Sequence, residues 1–186
     1  LPLRNSLIYN ICRDKEIMQI DLKNICFVRH AKSSWENPQL DDIDRPLNKR
    51  GERDAPYMAS KLVELKITPD LIITSPALRA RTTARIFADA ADLDSSRFVI
   101  ENMLYGADVT GIVRMMQEVD DDFKSVFVFG HNPTLTIMAN CFAGVDIDNV
   151  PTCGVLQAKT MVSSWKSWSP EVSAFVGFYY PKQYAI

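Results

Sequence analysis

The stretch ICFVRHAKSSW, Ile25 to Trp35, sets an apolar run against an abrupt polar ending. Its four apolar residues, Ile25 to Val28, with β-branched and aromatic side chains and no polar alternation, make Ile25 to Arg29 read as a strand buried on both faces, the kind a parallel sheet favours. Arg29 and His30 follow directly, and neighbours on a strand point to opposite faces. They can serve one site only if the strand ends there and the chain turns, so this is a strand tip opening into a polar loop.

Beyond that tip, SSWENPQLDDIDRPL is rich in Pro, Asn and Asp and reads as a long loop. Asn48 is a good cap for a helix through Met58, Leu62 and Leu65, with Pro56 a potential kink. Leu71 to Thr74 is a second apolar strand. Ser75-Pro76 reads as a helix cap with proline at the first helical position, so ALRARTTARIFADAA continues as a helix. A strand pair is expected at Phe98 to Ile100 and Met103 to Tyr105, and a helix starting at Asp108 contains Ile112, Met115 and Met116.

Ser125 to Phe129 is the most hydrophobic strand, ending in Gly130-His131-Asn132-Pro133, with LTIMANCF as the next helix. Strands alternating with helices imply crossover units and a mostly parallel sheet covered on both faces. After Pro151 the pattern changes: Val155 to Met161 and Ala174 to Tyr180 read as an antiparallel pair at one edge. The expected fold is α/β, a three-layer α/β/α sandwich with a mostly parallel central sheet and an antiparallel edge.

The 186 residues, 47% of them hydrophobic, suffice for one domain with a substantial core. Residues 1–17 differ in composition from the rest of the chain, and Met18 makes a natural start; they read as an extension that need not be native, with residues 18–186 forming the domain. A net charge of −2 gives no overall attraction to nucleic acid or acidic lipid. The apolar patch Leu7 to Cys12 is too short to span a membrane. Cys12, Cys26, Cys141 and Cys153 form no C-x-x-C pair, and three sit in apolar contexts, which fits a reduced, cytoplasmic setting.

The two histidines carry the functional information. His30 and His131 each lie just past the carboxyl end of a predicted central strand, the edge where open parallel sheets bind ligands. Ser75-Pro76-Ala77-Leu78-Arg79 occupies the same place after another strand. Three strand tips thus offer two imidazoles and two guanidiniums. Arginines match a phosphoryl group's oxygens bidentately, and the helix at Pro76 would add its positive end. A neutral imidazole is a competent phosphoryl acceptor, and neighbouring arginines depress its pKa. His30 is then the nucleophile, and His131 donates to the equatorial oxygens as charge develops. Taken alone, a histidine is most often a hydrogen-bonded bystander, and Arg79 could share a solvated helix face with Arg81 and Arg85; the shared edge argues against both.

The "RH" tip with AKSSW, DRPLNKRGERDAP, SPALRARTTA and GHNP, in this order and spacing, resemble the histidine phosphatase superfamily, also called phosphoglycerate mutase-like, and within it the small SixA-type phosphohistidine phosphatases. The resemblance runs from about Asn24 to Val155. It implies His30 as the transiently phosphorylated nucleophile, Arg29 and Arg79 as phosphate ligands, His131 as the second pocket histidine, and a reaction needing no metal or other cofactor. Two positions depart from the pattern: the glycine that commonly follows "RH" is Ala31, and the asparagine of the mutase loop is replaced by Glu36, with Asn37 one place later.

A proton donor for the leaving group is sought among Asp42, Asp44 and Glu101. The DDIDRP acids read equally as a solvated loop paired with Arg45 or Lys49. A phosphohistidine imidazole can be protonated itself and needs less help, so a sparse acid inventory favours a P–N substrate. No insertion between Leu104 and Ser125, or after GHNP, is long enough for a lid, and an open pocket suits a side chain presented by another protein. Trp35, Trp165 and Trp168 would either dock such a partner or pack against the edge strands.

Other phosphatase classes fit poorly. Six positions after each cysteine stand Met18, Lys32, Ile147 and Lys159, never the arginine that closes a cysteine phosphatase loop. DIDNV, Asp146 to Val150, has the D-x-D of an aspartyl phosphatase but comes after a poor strand and reads as a polar loop. No Gly-Lys phosphate loop or zinc pattern occurs. The expected protein is a cytoplasmic, monomeric phosphatase acting on phosphohistidine of a signalling or phosphotransfer protein. The alternatives are a small-molecule phosphomonoesterase of the same superfamily, or a catalytically idle phosphate-binding module.

Overall fold

The computed structural model describes residues 22–142 and 144–184. The expectations for residues 1–17, Met18 and Cys12 lie outside the described residues. The helices and strands, in chain order, are β1 (Lys23–Arg29), α1 (Lys49–Glu64), β2 (Leu71–Thr74), α2 (Leu78–Ala90), β3 (Phe98–Ile100), α3 (Val109–Gln117), β4 (Ser125–Gly130), α4 (Thr134–Asn140), β5 (Val155–Thr160) and β6 (Ser173–Tyr179). One six-stranded sheet has the order β3-β2-β4-β1-β5-β6. Strands β3, β2, β4 and β1 run parallel, and β5 and β6 add antiparallel to the β1 edge.

The near-continuous apolar character of β1 results from its two covered faces. Cys26 and Val28 point into one cluster with Met58, Leu62, Phe87 and Phe129; Ile25 and Phe27 point into another with Ile112, Met116, Leu135 and Met138. All four β1 residues are fully buried, as period-2 geometry demands of a strand sandwiched between helices. The fold is the expected three-layer sandwich with α1 and α2 on one face and α3 and α4 on the other.

Register sets the site. Arg29 pairs with Gly130 across β1 and β4, and Thr74 pairs with Phe129 across β2 and β4. Three parallel strands therefore stop level, and the next residues, His30, Ser75 and His131, emerge at one edge.

Local details differ from the sequence reading in two places, and the structure decides between the two roles expected for Trp165 and Trp168. Met103 to Tyr105 is no strand but part of a 3-10 turn, Asn102–Tyr105, in which the Glu101 carboxylate accepts from Met103 N–H. Helix α2 begins at Leu78, two residues later than expected: Ser75 Oγ accepts from Ala77 N–H, and Pro76 lies in the turn before the helix. Trp165 and Trp168 are fully buried; their indole N–H groups bond Phe123 O at 2.9 Å and Ser173 Oγ at 3.0 Å, so neither docks a partner. The expected caps Asn48 and Asp108 do hold α1 and α3, accepting from Gly51 and Gly111 N–H.

Ala31, in place of glycine, is fully buried, and its N–H donates to Thr83 Oγ1 at 3.0 Å. It is not among the described residues with positive φ, so its Cβ is tolerated without strain. The close approach falls instead at Gly51, where a Cβ would stand 2.2 Å from the Lys32 carbonyl oxygen.

Candidate active site

At the tip of β1, His30 is pinned by its own neighbour. Its Nδ1 lies 2.8 Å from the Ala31 carbonyl, which can only accept, so Nδ1 carries the proton. Nε2 is left with a lone pair, and Arg79 Nε donates to it at 3.3 Å. The His131 ring stands 5.1 Å from the His30 ring, centroid to centroid, and His131 Nε2 shares a 2.8 Å hydrogen bond with the Ser75 hydroxyl. Tyr105 meets His131 edge to face at 5.8 Å. His30 and Arg79 are buried at 8% and 7% exposure, which overturns the solvated-face alternative for Arg79.

Both imidazoles are held neutral. Burial, together with the charges of Arg79 and Arg29 and the competition of the neighbouring His131 ring for a proton, takes His30 down to about 3, against the opposing bond to Ala31. Burial and the two arginines take His131 down to about 4, opposed by Asp42. Burial lowers the Arg29 guanidinium from its ordinary value as well. Arg29 Nη1 donates to Val150 O at 2.6 Å, with Asn149 Oδ1 at 3.4 Å, while its Nε is buried without a partner. A guanidinium donor without a protein partner beside two neutral imidazoles is chemistry suited to the oxygen of an anion.

The acids are placed unequally. Asp44 is exposed, with its backbone in the short turn Asp42–Asp44, and Glu101 spends its carboxylate on Met103 N–H at 3.1 Å. Asp42 is the carboxylate at the site: Oδ2 accepts from Arg79 Nη2 at 2.8 Å and from the Tyr105 hydroxyl at 2.7 Å, and Oδ1 from Arg45 Nη1 at 2.7 Å. Glu36 and Asn37 are exposed, and Asn37 Oδ1 closes a turn onto Gln39 N–H.

Sequence reasoning missed Ser75, Tyr105, Asn149 and Val150. Ser75 stood at the strand tip that was already singled out, and its position alone could have flagged it. Asn149 and Val150 lie in the loop read as polar, where Asp146 and Asp148 are exposed. That loop holds Arg29 and also accepts from Asn132 Nδ2. The buried thiols of Cys26 and Cys153 are pushed far up by desolvation, and Cys141 is raised for the same reason. Among the described residues, no three His, Cys, Asp or Glu side chains are grouped to hold a metal ion, and no helix is long and apolar enough to cross a membrane.

Comparison with known proteins places these observations in a family. The model of the histidine phosphatase superfamily (branch 1) matches residues 25–101. An uncharacterised protein of Mycobacterium tuberculosis (strain CDC 1551 / Oshkosh) is 31% identical over 166 residues, 83% of this chain and 100% of the relative. A structure of a candidate phosphohistidine phosphatase SixA from Agrobacterium tumefaciens is 25% identical and superposes with a TM-score of 0.72 over 86% of this chain and 98% of that one. The fold is also shared, at 21% identity and a TM-score of 0.72, with the protein histidine phosphatase SixA complexed with tungstate, over 87% of this chain and 99% of that one. The chain is thus a phosphatase that belongs to the histidine phosphatase superfamily, on its SixA-like branch.

Proposed function

We propose that the protein removes the phosphoryl group from phosphohistidine on a signalling or phosphotransfer protein, with His30 as the nucleophile. The observation that carries this reading is the His30 ring itself: Nδ1–H is committed to Ala31 O, so Nε2 is unprotonated, and its lone pair is held only by the Arg79 Nε–H, a donor that a phosphoryl oxygen would take over. In this reading Nε2 attacks phosphorus, Arg79 and Arg29 orient and neutralise the phosphoryl oxygens, and His131 donates to them as the transition state forms. Water then attacks the phosphorylated His30 and releases inorganic phosphate. No step calls for a metal ion.

Three features support a P–N substrate. Asp44 and Glu101, the expected donors, are respectively exposed and engaged as a cap. Asp42, though burial works in the opposite direction, is held well below the usual carboxylate range by hydrogen bonds from Tyr105, Arg45 and Arg79, and so is a poor acid. The site lies at the level carboxyl ends of β1, β2 and β4, the edge at which an open parallel sheet takes its ligands. Trp35, 70% exposed beside it, offers contact area to a partner protein. A small phosphate monoester is the second reading, favoured by the same arginines and imidazoles, which do not discriminate the leaving group.

The test is a comparison of kcat/KM on a phosphohistidine protein and on a panel of small phosphoesters, without added metal. The proposal expects preference for the former and loss of several orders of magnitude in both for His30→Ala. Binding of phosphate by His30→Ala with no turnover by the parent protein would mark an idle binding module instead.

A further inference from the structure

Asp42 touches the same edge of Arg79 as the nucleophile does. In a guanidinium, Nε–H and the distal Nη2–H run parallel along one edge. Arg79 presents that edge to His30 Nε2 at 3.3 Å and to Asp42 Oδ2 at 2.8 Å. A phosphoryl group gripped by this edge and attacked by His30 would take the place of Asp42 on Nη2. The carboxylate would not travel far, because Arg45 holds its other oxygen. Arg45 is itself 6% exposed, bonded to Ser33 Oγ at 2.7 Å and Ser34 O at 3.0 Å, and capped by the Trp35 ring. Tyr105, which shares Asp42 Oδ2, also lines a cavity of about 190 Å³ with His131, Asn132 and Thr134, room beside the site for a small ring.

Building on the phosphohistidine reading above, we propose that Asp42 is a specificity-determining residue. It yields Arg79 to the incoming phosphoryl group and accepts instead a hydrogen bond from the distal N–H of a protonated imidazole leaving group, so that the site selects phosphoramidates over alcohol phosphoesters. In the transfer step the His30 Nε2 lone pair forms the new N–P bond. The old P–N bond breaks with its electron pair moving onto the departing ring nitrogen. That ring leaves as neutral imidazole, keeping the proton on its distal nitrogen beside Asp42. An alcohol ester brings no such proton, and its dianion leaves the displaced carboxylate facing like charge.

The discriminating experiment compares the parent protein with Asp42→Asn and Asp42→Glu on a histidine-phosphorylated peptide and on nitrophenyl phosphate, whose leaving group needs no proton. Asp42→Asn is expected to lose about tenfold or more in kcat/KM on the peptide, to gain severalfold on the aryl ester, and to be inhibited more tightly by tungstate, since the competing carboxylate is gone. Asp42→Glu keeps the charge and should keep the preference for the peptide. Equal losses or equal gains on the two substrates in Asp42→Asn, or an unchanged ratio, overturn the proposal. Failure of the underlying reading looks different: the parent would turn over neither substrate, or His30→Ala would retain activity.

Discussion

His30 Nε2 accepts a hydrogen bond from Arg79 Nε at 3.3 Å, a contact that exists only while the imidazole is neutral. A protonated ring would set two cations against each other in a buried place, so this geometry and the depression of His30 to about 3 have one cause.

Stability should therefore depend on pH. The two histidines, depressed to about 3 and about 4 when folded, return to about 6.5 when the chain unfolds. Below pH 6.5 the unfolded chain binds more protons than the native one, and stability falls as pH falls. Above 6.5 neither ring contributes to the slope. By pH 5 the loss is on the order of 2 kcal/mol for each ring. Thermal melts between pH 7.5 and 4.5 should show the decline, and His131→Asn should roughly halve it. Imidazole NMR should find neither ring titrating above pH 5 and His30 as the Nδ1–H tautomer. Titration near 6.5 would contradict the geometry.

Ser75 fixes the His131 ring through a 2.8 Å hydrogen bond and is itself fully buried. Ser75→Ala removes that anchor without touching either arginine. A ring free to turn should lower kcat about tenfold on an aryl phosphate while KM changes little, because orientation matters most in the transition state. A rise in KM at constant kcat would instead make Ser75 a ground-state binding group.

Much of the site was legible in the sequence for a reason peculiar to doubly covered sheets. Strands β1, β2 and β4 lack polar alternation and stop at charged or turn-forming residues, so their tips, and with them Arg29, His30 and His131, could be placed before any coordinates. Arg79 was located by counting from one of those tips. What depended on tertiary contact was hidden. Met103 to Tyr105 has strand-forming side chains, yet the Glu101 carboxylate captures Met103 N–H and winds the segment into a turn that brings the Tyr105 hydroxyl to Asp42. The destination of Asp42 could not be read from DDIDRP, because the residues that choose among its acids, Arg79 and Tyr105, lie far along the chain. Trp165 and Trp168 looked like turn residues and are core, since the covering layer beyond β5 is built from irregular chain that carries no periodicity.

Gly51 sits in the first turn of α1 against the loop that comes after His30. A Cβ there would stand 2.2 Å from the Lys32 carbonyl oxygen and 3.0 Å from its nitrogen. Both are backbone atoms, and the same carbonyl accepts from Asn48 N–H, the helix cap residue. Nothing can give way cheaply. Gly51→Ala should cost about 2 kcal/mol or more in denaturant unfolding, although alanine is the better helix former. An unchanged midpoint would mean that the loop and helix can separate.

Arg29 offers the sharpest link between an unsatisfied group and a ligand. Its Nη1 is committed to Val150 O, and its Nε is buried with no partner, an arrangement that an anion's oxygen would complete. Arg29→Lys keeps the positive charge but has neither a fork nor an Nε donor. Tungstate should raise the melting temperature of the parent protein and raise that of the variant much less at the same concentration, since stabilisation follows the affinity for the native state. On an aryl phosphate the variant should show KM raised about tenfold or more with a smaller fall in kcat, the pattern of a residue that grips the phosphoryl group before and during transfer alike. Equal stabilisation by tungstate in both proteins would assign Arg29 to the Asn149–Val150 loop alone, and leave Arg79 to hold the anion with the two histidines.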